Sequence, residues 1–261
     1  MPNNHYDVAA PSVSVLVPAY NEEATIGTVL GRLLELSLVK EIIVVDDGSV
    51  DRTVSIVESM SDARIKLVRQ PKNGGKTSAI QRALQEVTGS VVIVQDSDLE
   101  YDPAEIPGVV EPILSGHADV VYGSRFLTKR GSRFIGHYHS VANHSLTVFS
   151  NVLTHLKLTD VETCYKAFRS DVIRGIPLVS KGFGMEIEIT ASIARLGLRI
   201  REVPISYHAR TYAEGKKIGI RDGLSALWYI VYFNTLEPLS ARRQRYFSEV
   251  RARLAASEKQ V

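Results

Sequence analysis

Five short β-branched runs, most of them separated by segments of helical period, fill the first 122 residues. The runs are Val13–Val17, Glu41–Val45, Ile65–Val68, Val91–Val94 and Asp119–Tyr122. Between them, 23–37 carries apolar residues at Ile26, Val29, Leu30, Leu33 and Leu34, the spacing of one helix face, and 53–60 and 76–87 read as further helices. Uninterrupted β-branched runs of this length suit strands buried on both faces, as in a parallel sheet under helices. Right-handed crossovers then give an open, doubly wound α/β sheet. After Tyr122 the alternation fails. A loop over 123–136 leads to a helix at 140–155, a strand at 165–168, a helix at 186–196 and a strand at 199–203. The segment 224–233 is amphipathic, and 241–256 is a basic helix.

With 261 residues the chain holds one large domain or two small ones and buries a core without staples. A hydrophobic share of 44% and a charged share of 23% exclude disorder and a membrane-embedded chain. The formal charge of +2 is too balanced to suggest nucleic-acid binding. Cys164 is the one cysteine, which excludes an internal disulfide and suits a reducing compartment. The opening MPNNHYDVAAPSVSVLVP has no basic n-region or apolar h-region, so a soluble intracellular protein is expected.

In open α/β sheets ligands bind beyond the carboxyl ends of the strands. Those ends read PAYNEE (18–23), DDGS (46–49), DSDLE (96–100) and GSRF (123–126). Asp and Ser there could serve only to cap the next helices, but three carboxylates within five residues exceed what a cap requires. Residues two apart in an extended turn point the same way, so Asp96 and Asp98 can share one site. Mg²⁺ or Mn²⁺ typically takes one or two carboxylates plus substrate phosphates. KNGGKTS (72–78) is not a Walker A loop, because Gln70 stands where the first Gly belongs and the stretch follows the third strand. Lys76, opening a helix, suits a place near a diphosphate. His137, His139 and His144 lack the Cys or carboxylate that would complete a zinc site.

VPAYNEE (17–23), VDDGS (45–49), NGGK (73–76), DSDLE and GSRF together resemble glycosyltransferase family 2, the inverting GT-A fold. DVETCYKAF (160–168), FGMEIEITA (183–191), EVPISYHAR (202–210) and EGKKI (214–218) are similar to the polyprenyl-phosphate sugar synthases of the dolichyl-phosphate mannosyltransferase type. The resemblance implies a mostly parallel sheet with helices on both faces. It implies a catalytic domain over 1–236, with a nucleotide-binding half at about 10–122 and an acceptor half at about 123–236, followed by the basic helix at 237–261. It further implies a GDP- or UDP-hexose donor, Mg²⁺ or Mn²⁺, a polyprenyl monophosphate acceptor, and a peripheral place on the cytoplasmic face of a membrane.

Carried over by position, Pro18, Ala19, Tyr20, Glu22, Ser97 and Lys76 would frame the nucleotide, and Asp47 would bond the base. Asp96 would lie near ribose and metal, with Asp98 and Glu100 holding the metal, Glu100 standing where relatives often carry Gln. Arg125 and Arg210 would face the diphosphate and the acceptor phosphate, helped by Lys216 and Lys217. The Arg that such synthases often carry after GSRF is replaced within HYHSVANHS, where His139, or Arg133 before it, would substitute. Two other readings stay open: a relative with a hydroxyl acceptor, using Glu186 or Glu188 as base, and a nucleotide-binding membrane adaptor without catalysis. Trp228, Tyr229, Tyr232 and Phe233, followed by Arg242, Arg243 and Arg245, suggest a membrane interface; an ordinary packed helix is the alternative.

Overall fold

The computed structural model describes residues 12–127, 137–209 and 220–258. A seven-stranded sheet runs in the order β3-β2-β1-β4-β6-β5-β7. Its first half alternates as the sequence predicts: β1 (Val13–Ala19), α1 (Ile26–Leu34), β2 (Val39–Asp46), α2 (Thr53–Ser59), β3 (Ile65–Arg69), α3 (Lys76–Leu84) and β4 (Val91–Val94). β1 pairs parallel to both β2 and β4, and β2 to β3. Every residue of β4 is buried, and all but Pro18 of β1, as two-sided coverage demands.

The sequence reading passes over α4 (Ile106–Leu114), which carries Pro107 in its first turn and Pro112 inside. Prolines and Gly108 obscure its period, yet Ile106, Val109, Val110 and Ile113 form one buried face. β5 (Val120–Ser124), α5 (His137–Thr154), β6 (Lys166–Arg169), α6 (Ser170–Ile173), α7 (Met185–Ala194) and β7 (Ile200–Pro204) follow. β6 runs antiparallel between β4 and β5, so its N-terminal end reaches the rim where the parallel strands finish. This reversal carries Asp160–Tyr165 across that rim.

α8 (Ile220–Thr235) rests on α5 and α7 around a second apolar cluster of Ile187, Ala191, Ala226, Ile230 and Phe233. α9 (Ala241–Glu258) is part of the main packing, with Tyr246, Phe247 and Val250 buried and the Tyr246 hydroxyl donating to the Val172 carbonyl at 2.8 Å. None of the described helices is long and apolar enough to cross a membrane.

Candidate active site

The loops after β1 and β2 brace one another. Asn21 N–H donates to Ser49 Oγ and Val50 N–H to Asn21 Oδ1, both at 2.9 Å, while Glu22 N–H donates to Thr53 Oγ1 at 2.8 Å. Asn21 and Ser49 therefore join two strand ends instead of capping helices. Asp47, 3% exposed, accepts from Gln70 Nε2 (2.9 Å), Gly74 N–H (2.8 Å) and Gly75 N–H (2.7 Å). A carboxylate has about four lone-pair sites, so an imino hydrogen of a base would be its fourth donor. Gly75, at φ 84°, turns the chain so that Lys76 opens α3 toward the rim. Tyr20 is exposed beside them, and the Glu22 carboxylate accepts from Thr25 Oγ1 at 2.9 Å.

The acidic turn after β4 is pinned at both ends. Leu99 sits at φ 61°, a left-handed conformation that side chains rarely adopt and that costs on the order of 1 kcal/mol or more. Ser97 spends its hydroxyl on the Pro18 carbonyl at 3.0 Å, and its own carbonyl accepts from Thr25 Oγ1 at 2.7 Å. Ser97 thus ties the turn to β1. Asp98 Oδ1 accepts from Glu100 N–H at 3.1 Å, and the Glu100 carboxylate accepts from the Tyr207 hydroxyl at 2.9 Å.

Lys76 crosses the cleft. Its Nζ stands 2.8 Å from Asp96 Oδ1, 3.4 Å from Glu186 Oε1 and 3.4 Å from Cys164 Sγ. Burial opposes its charge, but Asp96, with Cys164 and Glu186, holds the ammonium well above the ordinary lysine value. Lys76 therefore joins α3, the acidic turn and α7, at the rim where the sequence reading expects a diphosphate nearby.

Arg125 and Glu188 are both held in buried ion pairs. Arg125 is 8% exposed and grips Asp160, which is fully buried, through Nε at 2.7 Å and Nη2 at 2.8 Å. Its backbone N–H reaches the same carboxylate at 3.1 Å, and its guanidinium lies 5.0 Å over the Tyr207 ring. The bidentate fork fixes the guanidinium at the end of β5 through Nε and Nη2, and among the described residues no partner is seen for Nη1. Glu188 has no exposure and accepts from Val179 N–H (2.9 Å), Ser180 N–H (2.8 Å) and Arg243 Nη2 (2.6 Å). With these three donors and no exposure, the carboxylate is held inside the protein. Glu186, 6% exposed, is left facing Lys76.

Arg210, Lys216, Lys217 and Arg133, and the side chain of His139, lie outside the described residues. The rim contributes residues that sequence reasoning left without a role: Asp160, Glu162, Lys166, Tyr101 and Tyr207. For Asp160, Glu162 and Lys166 the signal is the charged residues of DVETCYK at the start of a strand, whereas Tyr101 follows DSDLE and Tyr207 lies within EVPISYHAR.

Among the described residues no three His, Cys, Asp or Glu side chains gather as a resident metal cage. Asp98 and Glu100 are half-buried hard oxygen donors at the rim. That donor set fits Mg²⁺ or Mn²⁺ arriving with substrate phosphates.

Residues 14–176 match the family described as "Glycosyl transferase family 2". The chain is 29% identical over 236 residues to the undecaprenyl-phosphate mannosyltransferase of Micrococcus luteus, covering 83% of this chain and 96% of that protein. It is 30% identical over 213 residues to the dolichol-phosphate mannosyltransferase of Pyrococcus furiosus, covering 79% of this chain and 59% of the relative. In fold it is similar to glucosyl-3-phosphoglycerate synthase from Mycobacterium tuberculosis, crystallised with Mn²⁺, UDP-glucose and phosphoglyceric acid. That likeness has a TM-score of 0.69 at 24% identity and covers 87% of this chain and 80% of the other. With the GT-A sheet, the braced strand ends and the acidic turn all in place, the chain belongs to glycosyl transferase family 2.

Proposed function

We propose that this glycosyltransferase moves a hexose, mannose or glucose, from a GDP- or UDP-sugar to a polyprenyl monophosphate at a membrane surface, with inversion. One observation carries the choice of acceptor: both carboxylates that could serve a hydroxyl acceptor as base are committed, Glu188 to Arg243 and Glu186 to Lys76. A hydroxyl must lose a proton as it attacks, which requires a base within about 3 Å. A phosphate monoester has its second pKa at about 6 and is already an anionic nucleophile at neutral pH. The named mannosyltransferase relatives support the same choice.

In this reading the loops after β1 and β2 hold the nucleoside, and Asp98 with Glu100 holds Mg²⁺ or Mn²⁺. The ion would neutralise the diphosphate and stabilise it as a leaving group. Lys76 keeps Asp96 from adding its full charge to the same rim. A single displacement inverts the sugar carbon, so an α-linked donor gives a β-linked lipid-phosphate sugar. The surface of α8 supports a peripheral membrane position, since Leu224, Leu227, Trp228 and Val231 are exposed at helical spacing. Phe233 is 2% exposed and belongs to the core, which divides the aromatic run between two tasks.

The test is transfer of labelled hexose from GDP- and UDP-sugars to polyprenyl phosphate, beside the matched polyprenol. Phosphate-dependent product with an inverted anomeric centre is expected. Product with the polyprenol alone would move the protein to the hydroxyl-acceptor reading, and nucleotide binding without transfer would make it an adaptor.

A further inference from the structure

Glu162 stands in the segment that β6 carries across the rim, between the acidic turn after β4 and the end of β5. Its side chain is half-buried, and its Oε1 is enclosed without a hydrogen-bond partner. Asp160, Lys166, Arg125 and Glu186 are the charged groups that act on it. Asp160 precedes it, Lys166 follows at the start of β6, and Arg125 comes from the end of β5. Glu186 comes from α7, paired with Lys76 of α3 and, through Lys76, with Asp96. Glu202 of β7 braces the start of the same segment at Thr159 and Asp160.

The donors of this cluster go elsewhere. Asp160 takes Arg125, while Asp96 and Glu186 take Lys76. Glu202 accepts the amides of Thr159 and Asp160 at 2.8 and 3.2 Å. Lys166 Nζ donates to the Val161 carbonyl at 3.0 Å and to the Thr163 carbonyl, and lies 4.9 Å over the Tyr122 ring. An enclosed carboxylate oxygen with no donor, among carboxylates that outnumber the cations, is costly as an anion. As a neutral acid it is cheap, with the enclosed Oε1 left as the carbonyl oxygen, and the O–H on Oε2 then needs an acceptor.

We infer that Glu162 enters the reaction as a neutral carboxylic acid and donates its O–H to an oxygen of the acceptor's phosphate monoester, positioning that group for attack. This rests on the phosphate-acceptor reading above. Burial pushes Glu162 up to about 8, Glu186 adds to the rise, and Lys166 and Arg125 pull against it. An uncharged donor suits this place, because an ionised carboxylate would repel the dianion that an O–H binds. A carboxylic acid kept protonated at neutral pH by an apolar site has precedent as an enzyme's hydrogen-bond donor.

Two measurements on the full chain test it. The first needs no acceptor: the infrared difference between wild type and Glu162→Gln at pH 7 should show the carbonyl stretch of a protonated carboxyl, fading as pH passes about 8. Absence of that band overturns the inference whatever the acceptor is. The second is kcat/KM for polyprenyl phosphate between pH 6 and 9.5. Wild type should fall about tenfold per pH unit above about 8, and Glu162→Gln, whose amide still donates, should stay flat across that limb. Glu162→Ala should lose about tenfold or more in acceptor kcat/KM with donor KM unchanged and its melting temperature near that of Glu162→Gln. A basic limb that persists in Glu162→Gln, or a loss confined to donor KM, overturns it. Wild type that shows the band but transfers only to polyprenol would refute the phosphate acceptor, and with it the assigned bond, while leaving the proton assignment standing.

Discussion

Arg243 closes a buried ion triad: its Nη2 donates to Glu188 at 2.6 Å and its Nε to Glu237 at 2.7 Å, with Arg243 and Glu237 1% and 3% exposed. Removing one partner of such a group strands the others without water. Arg243→Ala should therefore lower unfolding free energy by about 3–5 kcal/mol in urea titrations, with sugar-nucleotide affinity retained in the folded fraction. An effect below about 1 kcal/mol would mean that the triad is solvated. Asp119 permits a pH prediction. Burial alone would raise its carboxyl, but Arg199 and Arg169, bonded at 2.9–3.1 Å, outweigh that and hold it below the ordinary 3.8. A carboxyl depressed in the folded state adds stability above its unfolded value and loses it as pH falls toward the folded one. Asp119→Asn should lower the melting temperature at pH 7 and make the remaining decline below about pH 4 shallower than in wild type.

Among the elements, α8 carries two opposite duties on one short helix. Ala226, Ile230 and Phe233 enter the cluster with α7, while Leu224, Leu227, Trp228 and Val231 stay exposed. α5, which packs against it, exposes Val141, Val148 and Val152. The triple change Leu224→Ser, Leu227→Ser and Trp228→Ser should cut sedimentation with anionic vesicles and leave the melting temperature within a few degrees. Phe233→Ala should do the reverse, costing about 3–5 kcal/mol in stability. Vesicle binding that survives the triple change would assign the stripe to another partner. The amphipathic period of 224–233 was legible in the sequence, but its four aromatics read there as one membrane group. Packing against α7 and α5 is what separates Phe233 from Trp228.

For the whole molecule, nucleotide and metal should act as one ligand. A nucleoside diphosphate with Mn²⁺ at 100 Kd should stabilise the fold by roughly 2.7 kcal/mol, and excess EDTA should remove most of that gain. Asp98→Ala should unfold like wild type without ligand and lose the metal-dependent part of the shift. An unaltered shift in that variant would relocate the cation. By itself the sequence determined the strand succession, the α/β class and the four strand ends that line the rim, because period and β-branching report burial directly. It also placed Asp96, Asp98 and Glu100 together, since their spacing is local. The tertiary structure decided which cation each buried carboxylate receives. Arg125 meets Asp160 across 35 residues and Arg243 meets Glu188 across 55, pairings that no local spacing announces. Residue types give charge and reach, but a salt bridge depends on three-dimensional distance and on the loss of water, and both arise only when β6 reverses between its neighbours and α9 closes over α7.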